Sequence, residues 1–207
     1  MYPLKLTTLK NRQSLYIPDP ALVKTTYQKL VAADPTTIFP YWAKIWASSD
    51  ALVQFLLEEP GWIQNKKVLE IGAGIGVPSF SIATQAHKIV VSDYAPDAVV
   101  LLQINIEYLK LTNVVALCID WNNIVEDKVA DTILLSDTNY EPTAHNNLIL
   151  LIEKYINTGS TIILATPNRL SSNPFVDNVS KYMYSSKNFR IIENENLVEI
   201  LVMVLKK

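Results

Sequence analysis

Of the five glycines in this 207-residue chain, three stand in one pentapeptide, Gly72-Ala73-Gly74-Ile75-Gly76. The apolar run Val68-Leu69-Glu70-Ile71 precedes them and Val77 follows, so a strand runs into a tight turn and then a helix. Glycine lets backbone approach a ligand closely and opens a helix whose N-terminus favours negative charge. A merely tight turn would not draw three glycines from a chain that otherwise spares them. The dinucleotide fingerprint Gly-x-Gly-x-x-Gly would need glycine at position 77, where the chain has Val77, which argues against a nicotinamide dehydrogenase.

From Lys66 onward, strands and helices alternate. Strand-like runs are Lys67–Ile71, Lys88–Ser92, Val114–Ile119, Asp131–Ser136 and Thr161–Ala165, each short and almost continuously apolar, as strands buried on both faces should be. Helical stretches are predicted at Val77–Ala86, Pro96–Leu109, Pro142–Ile156 and Pro174–Tyr184, with Pro96 and Pro142 where a first helical turn tolerates proline. This rhythm means a parallel sheet with helices on both faces. The end breaks it: Phe189–Ile192 and Leu197–Leu205 are both strand-like with no room for a helix between them, so they pair antiparallel. Upstream, a helix is expected over Trp46–Glu59. Residues 1–36 read as an N-terminal extension, with a strand-like piece at Ser14–Ile17 and a helix at Ala21–Ala32, and residues 37–207 as the main domain.

Composition narrows the function classes. Hydrophobic residues make up 49% and charged residues 18%, enough for a sizeable core and too apolar for a disordered chain. A formal net charge of −2 without a Lys/Arg cluster gives no nucleic-acid footprint. No apolar run approaches the roughly 18 residues of a membrane span. A single cysteine, Cys118, excludes an intrachain disulfide, and with no signal peptide the expectation is a soluble, cytoplasmic protein. Two histidines and one cysteine do not supply a zinc set, and no metal is expected. Nothing in the sequence fixes the oligomeric state.

Acids gather at the strand ends. Glu70, Asp93, Asp120, Asp137 and Glu141 lie at or near the C-terminal tips, the ligand edge of an open α/β sheet, where an acidic rim suits a cationic ligand. Asp93 ends the second strand about twenty residues past the glycine loop, where a carboxylate can accept both hydroxyls of a ribose; the same residue could cap the helix that follows. Trp42 and Trp46 are four apart and would share one face if helical.

The loop Glu70-x-Gly72-x-Gly74-x-Gly76 resembles motif I of the S-adenosylmethionine-dependent methyltransferases, with Gly76 serving helix packing. Asp137-x-x-Tyr140 after the fourth strand, together with Phe39-Pro40-Tyr41-Trp42-Ala43-Lys44-Ile45-Trp46-Ala47, resembles the protein-lysine methyltransferases of methyltransferase family 16. Within that family it looks most like the electron-transfer-flavoprotein β-subunit lysine methyltransferases. The resemblance covers about residues 38–142. It implies a Rossmann-like seven-stranded sheet, order 3-2-1-4-5-7-6, with strand 7 antiparallel, and S-adenosyl-L-methionine as cofactor. It places Trp46, Glu70, Gly72, Ala73, Gly74, Asp93, Tyr94, Asp120, Trp121 and Ser136 at the cofactor, with Asp120 and Trp121 at the adenine. Asp137 and Tyr140 then carry the transfer, and the partner is a protein substrate with an accessible lysine.

A lysine nucleophile must be neutral, and a nearby carboxylate raises its pKa. Asp137 is therefore cast as an orienter of the amine rather than as its base, with Tyr140 closing one wall. A helix-capping role for Asp137, a packing role for Tyr140 and a general-base role for His145 stay open. His87 reads as structural. Two other functions stay open beside lysine methylation: methyl transfer to a small-molecule nitrogen or oxygen, and a non-catalytic S-adenosylmethionine-binding module.

Overall fold

The computed structural model describes residues 2–123, 130–168 and 173–207. The chain opens with an antiparallel hairpin, β1 (Leu4–Thr8) and β2 (Ser14–Pro18), followed by α1 (Pro20–Ala33), whose first turn is capped by the Asp19 carboxylate accepting from the Ala21 N–H. Sequence reading gives no strand at Leu4–Thr8. That strand is half exposed along most of its length, so no apolar alternation marks it. The hairpin is tied to the main body. Leu15 and Ile17 enter the core, and the Asn105 side chain exchanges two hydrogen bonds with the Tyr16 backbone, at 2.8 and 2.9 Å.

After α2 (Ala47–Glu58) come β3 (Lys67–Ile71), α3 (Val77–Ser81), β4 (Lys88–Asp93), α4 (Pro96–Tyr108) and β5 (Val114–Cys118). The second half is β6 (Thr132–Ser136), α5 (His145–Asn157), β7 (Thr161–Pro167), α6 (Asn173–Ser180), β8 (Met183–Glu193) and β9 (Asn196–Leu205). The large sheet has seven strands in the order β5-β4-β3-β6-β7-β9-β8. With the N-terminal hairpin set aside, this is the expected order, and β9 runs antiparallel to both β7 and β8.

Successive strand residues point to opposite faces, and the core divides accordingly. Val68, Leu134, Ile163 and Ala165 join Leu52, Phe55, Leu56 and Leu102 on one face. Leu69, Ile71, Ile133, Leu135, Ile162 and Leu164 join Leu148, Ile152 and Phe175 on the other. Both faces are covered by helices, which is why the strands are apolar throughout.

Some boundaries differ from expectation. The helix expected to reach Tyr184 stops at Ser180, and Met183–Ser186 begin the edge strand β8 instead. That stretch is exposed, so its side chains show no burial period. The helix expected over Val77–Ala86 is regular only to Ser81. The one expected from Pro142 starts with a 3-10 turn, Pro142–Ala144, before α5. Trp42 lies in a 3-10 turn, Tyr41–Ala43, and Trp46 is the extended residue before α2, so the two tryptophans do not share a helical face.

Candidate active site

Strand order puts the tips of β4, β3 and β6 side by side, and a cavity of about 300 Å³ opens there. The volume is at the lower end for small-molecule sites. Its wall includes Gly72, Ala73 and Gly74 after β3, Asp93 and Tyr94 at β4, Trp121 beyond β5, and Ser136, Asp137, Thr138 and Tyr140 after β6. The segment 41–49 closes it with Tyr41, Trp42, Lys44, Ile45, Trp46 and Ser49.

The glycine loop is shaped by backbone demand. Gly72, Gly74 and Gly76 have φ of +67°, +54° and +80°, a region that strains other residues. A Cβ on Gly74 would stand 3.0 Å from the Trp42 carbonyl oxygen, so loop and segment 41–49 touch backbone to backbone. A Cβ on Gly76 would meet Leu102 at 2.5 Å and Phe80 at 2.8 Å, which is the packing role expected of it.

Asp93 is nearly buried. Its two carboxylate oxygens accept from the N–H groups of Gly74 and Ala95, both at 2.9 Å. Burial pushes its carboxyl up, and these N–H groups pull it back. One carboxylate thus fixes both the loop and the start of α4.

Two residues expected at the cofactor are not part of the cavity wall. Glu70 lies one layer behind the glycine loop: it is buried, and its Oε2 accepts from the Ser79 N–H at 3.0 Å. Burial pushes its carboxyl up to about 7, hydrogen bonding with Ser79 opposes this, and the Asp93 charge adds to it. Asp120 stays exposed, and its Oδ1 accepts from the backbone and side-chain nitrogens of Asn122 at 2.9 Å each. Trp121, its neighbour, does line the cavity, beside Gly72.

Across β3, the turn after β6 is built differently. Asp137 is only 7% exposed, yet its φ is +52°, and its N–H donates to the Ala165 carbonyl at 2.9 Å. Thr138 and Asn139 are buried, and among the described residues neither the Thr138 hydroxyl nor the Asn139 side-chain amide has a hydrogen-bond partner. His145 Nε2 is 3.0 Å from the Asn139 carbonyl and the ring packs on Phe175, so this histidine braces the turn and does not line the cavity. The Ser136 and Ser49 hydroxyls are 3.3 Å apart.

A row of aromatic rings runs from the cavity wall, where Tyr140 and Tyr41 stand. Tyr27, Phe39, Tyr41 and Tyr140 touch in sequence, with centroids 5.1, 5.0 and 5.3 Å apart. Burial, with Tyr94 and the charges of Glu141 and Asp93, pushes the Tyr140 phenol up to about 12. At neutral pH it is therefore a hydrogen-bond donor. Trp46 Nε1 donates to the Tyr41 carbonyl at 3.0 Å, and Lys44 Nζ lies 4.1 Å from the centre of the Trp46 ring. Of the wall residues not assigned from the sequence, Tyr41, Lys44 and Ile45 fall within the segment Phe39–Ala47, Ile75 and Val77 adjoin the glycines, and Ser49 and Thr138 were not singled out. Ser49 follows Trp46 by three positions and Thr138 adjoins Asp137, so proximity to assigned residues was the available signal.

A seven-stranded sheet with a reversed last strand, a glycine loop after its first parallel strand and an acid at the tip of the next defines the class I, S-adenosylmethionine-binding methyltransferase fold. The N-methyltransferase NodS of Bradyrhizobium japonicum, solved with S-adenosyl-L-homocysteine, superimposes with a TM-score of 0.62 at 12% identity, covering 88% of this chain and 99% of that one. A family profile described as lysine methyltransferase matches residues 37–185, and the chain belongs to that family. It is 30% identical over 132 residues to the electron transfer flavoprotein beta subunit lysine methyltransferase of Mus musculus, covering 63% of this chain and 51% of that protein. It is 32% identical over 123 residues to the protein N-terminal and lysine N-methyltransferase efm7 of Schizosaccharomyces pombe, covering 52% of this chain and 48% of that protein. The chain thus spans about half the length of these curated relatives. Among the described residues no helix is long and apolar enough to cross a membrane.

Proposed function

We propose that this chain transfers a methyl group from S-adenosylmethionine to a lysine side chain of a protein, in the cytoplasm. The observation that carries the reading is the pairing of two acids in one cavity, Asp93 beside the glycine loop and Asp137 beside Tyr140, on either side of β3. The cavity fits the cofactor in chemistry. Asp93 offers a carboxylate to the ribose diol, Gly72 and Gly74 leave the turn bare, Trp121 offers a flat apolar face, and the acids suit a sulfonium. Glu70 supports the loop from behind, and Asp120 shapes the turn that presents Trp121.

Bound there, the sulfonium supplies an electrophilic methyl group. The protein's task is alignment of the amine, the methyl carbon and the sulfur, which alone can lower a barrier by several kcal/mol. The lysine would lose its proton to solvent before transfer; the N–C bond would then form as the S–C bond breaks, leaving a thioether and a methylammonium. The amine must arrive neutral against a reference pKa of about 10.4. The apolar wall favours the neutral form and Asp137 opposes it, so Asp137 accepts an N–H and turns the nitrogen lone pair toward the methyl. It also offsets the positive charge that passes from sulfur to nitrogen. Tyr140, a donor at neutral pH, closes the wall. We read residues 1–36 as an extension that braces this wall: Tyr2 meets the Trp42 ring edge-on at 5.6 Å.

The test is incubation of the purified protein with S-[methyl-³H]adenosylmethionine and an extract of its own cells, followed by acid hydrolysis and amino-acid analysis. Label recovered as methyl-lysine from protein is the expected result. Label confined to small molecules would favour a small-molecule methyltransferase, and no label at all a binding module.

A further inference from the structure

A second hollow, a groove of about 490 Å³, meets the cofactor cavity at Trp46 and Asp137. Its outer wall is the β8–β9 hairpin, through Glu193, Leu197 and Glu199. The described lining residues include three carboxylates, Asp137, Glu193 and Glu199, and no lysine or arginine. The two hairpin acids are not equally held. Glu193 Oε1 accepts from the Ala47 N–H at 3.2 Å and lies 3.3 Å from Lys44 Nζ, which fixes it to the start of α2. The Glu199 carboxylate meets the Arg190 Nε at 3.3 Å, in a pair whose side chains are 74% and 55% exposed. Such exposed pairs contribute little and exchange readily for an incoming cation. At the hairpin end Ile192 and Leu197 are cross-strand partners, 66% and 61% exposed, an apolar lip on an acidic groove.

Resting on the reading of lysine methylation above, we propose that this groove seats the polypeptide segment carrying the acceptor lysine. It selects a segment with a second cation beside that lysine. The acceptor reaches Asp137 from the groove, the cation replaces Arg190 at Glu199, and an apolar residue covers the Ile192–Leu197 lip. With carboxylates lining the groove, a basic segment is drawn in and an acidic flank is repelled. The cofactor half of the cavity takes no part in this choice.

The test uses the full chain, tritiated S-adenosylmethionine and whole-cell extract as the probe, with labelled lysines mapped by mass spectrometry. Glu199→Lys and Leu197→Asn should each slow protein labelling by about tenfold, through KM once the mapped target is isolated. Glu199→Asp should keep most of the rate, and S-adenosylhomocysteine affinity should not change in any of them. Mapped acceptors should carry Lys or Arg within a few residues. Undiminished labelling by Glu199→Lys and Leu197→Asn, or acceptors in acidic surroundings, would overturn the proposal. So would a parallel loss of S-adenosylhomocysteine affinity, since the hairpin would then be acting on the cofactor cavity. A wild-type protein that labels no protein at all would instead overturn the methylation reading on which this one rests.

Discussion

The two sides of β3 each bring an aspartate to the cavity, on turns built in different ways. On the β4 side, both oxygens of Asp93 are occupied by backbone N–H groups, and the positive φ values fall on glycines. On the β6 side, the positive φ falls on Asp137, and the next two residues bury polar atoms without partners among the described residues. A left-handed non-glycine residue costs on the order of 1–2 kcal/mol, and a buried unpaired polar group about 1–3 kcal/mol. Such costs persist where function demands a particular geometry. In the proposed function the Asp93 side, where the left-handed turns fall on glycines, holds the cofactor. In the same reading the Asp137 side, where the left-handed turn falls on a non-glycine residue, receives the amine. Cofactor binding and methyl transfer should therefore fail separately.

The largest effect should come from Asp137→Asn. Asparagine tolerates left-handed backbone, so the turn survives while the charge is lost. Methyl transfer to protein should fall on the order of 10³-fold, as for loss of a strong electrostatic partner at a reacting centre. Retention of more than about a tenth of the rate in a timed labelling assay would break the distinction between the two sides.

Glu70→Gln probes the glycine side behind the cavity wall. The Glu70 carboxyl sits at about 7 in the fold, against 4.5 for the free group. Below 4.5 both states hold the proton. As pH rises toward 7 the unfolded chain ionises first, so wild-type stability falls across that window and then levels off. The loss is on the order of 3 kcal/mol. Urea unfolding should show a shallower pH slope from 4.5 to 7 for Glu70→Gln, and parallel slopes would contradict the assignment.

Asp93→Ala should weaken S-adenosylhomocysteine binding by about 2 kcal/mol, as expected for a hydrogen bond to a charged group. The transfer rate at saturating cofactor should change far less. The smallest effect should be that of Tyr140→Phe, about 1 kcal/mol in transfer. Because the phenol titrates only near 12, the pH–rate profiles of the two proteins should run parallel up to pH 10. A new inflection below that would show that Tyr140 does titrate in the reaction.

Much of this comparison was legible in the sequence. The reversed last strand, the glycine loop and Asp137 each leave a local mark, a spacing, an apolar run or an acid at a strand tip, whereas the sheet order came from the family resemblance those marks carry. The rest was not local. Glu70 carries the motif's acid but spends it on Ser79, because the following turn folds the start of α3 back over it. Asp120 was placed with Trp121 at the ligand, yet its carboxylate turns to Asn122 two residues on. Trp42 and Trp46 share the cavity wall without sharing a helix, since extended backbone and a 3-10 turn bring them there. The first half of β8 is an exposed sheet edge, where neither face selects for apolar residues. The contact of the N-terminal hairpin with Asn105 spans 89 positions and leaves no periodicity to read.

The measurement that tests the separation most directly is calorimetric titration of S-adenosylhomocysteine into Asp137→Asn and Asp93→Ala side by side. The account predicts wild-type affinity in Asp137→Asn and a loss of at least about tenfold in Asp93→Ala. Equal losses in both variants would contradict it, because Asp137 would then belong to the cofactor site and not to the transfer.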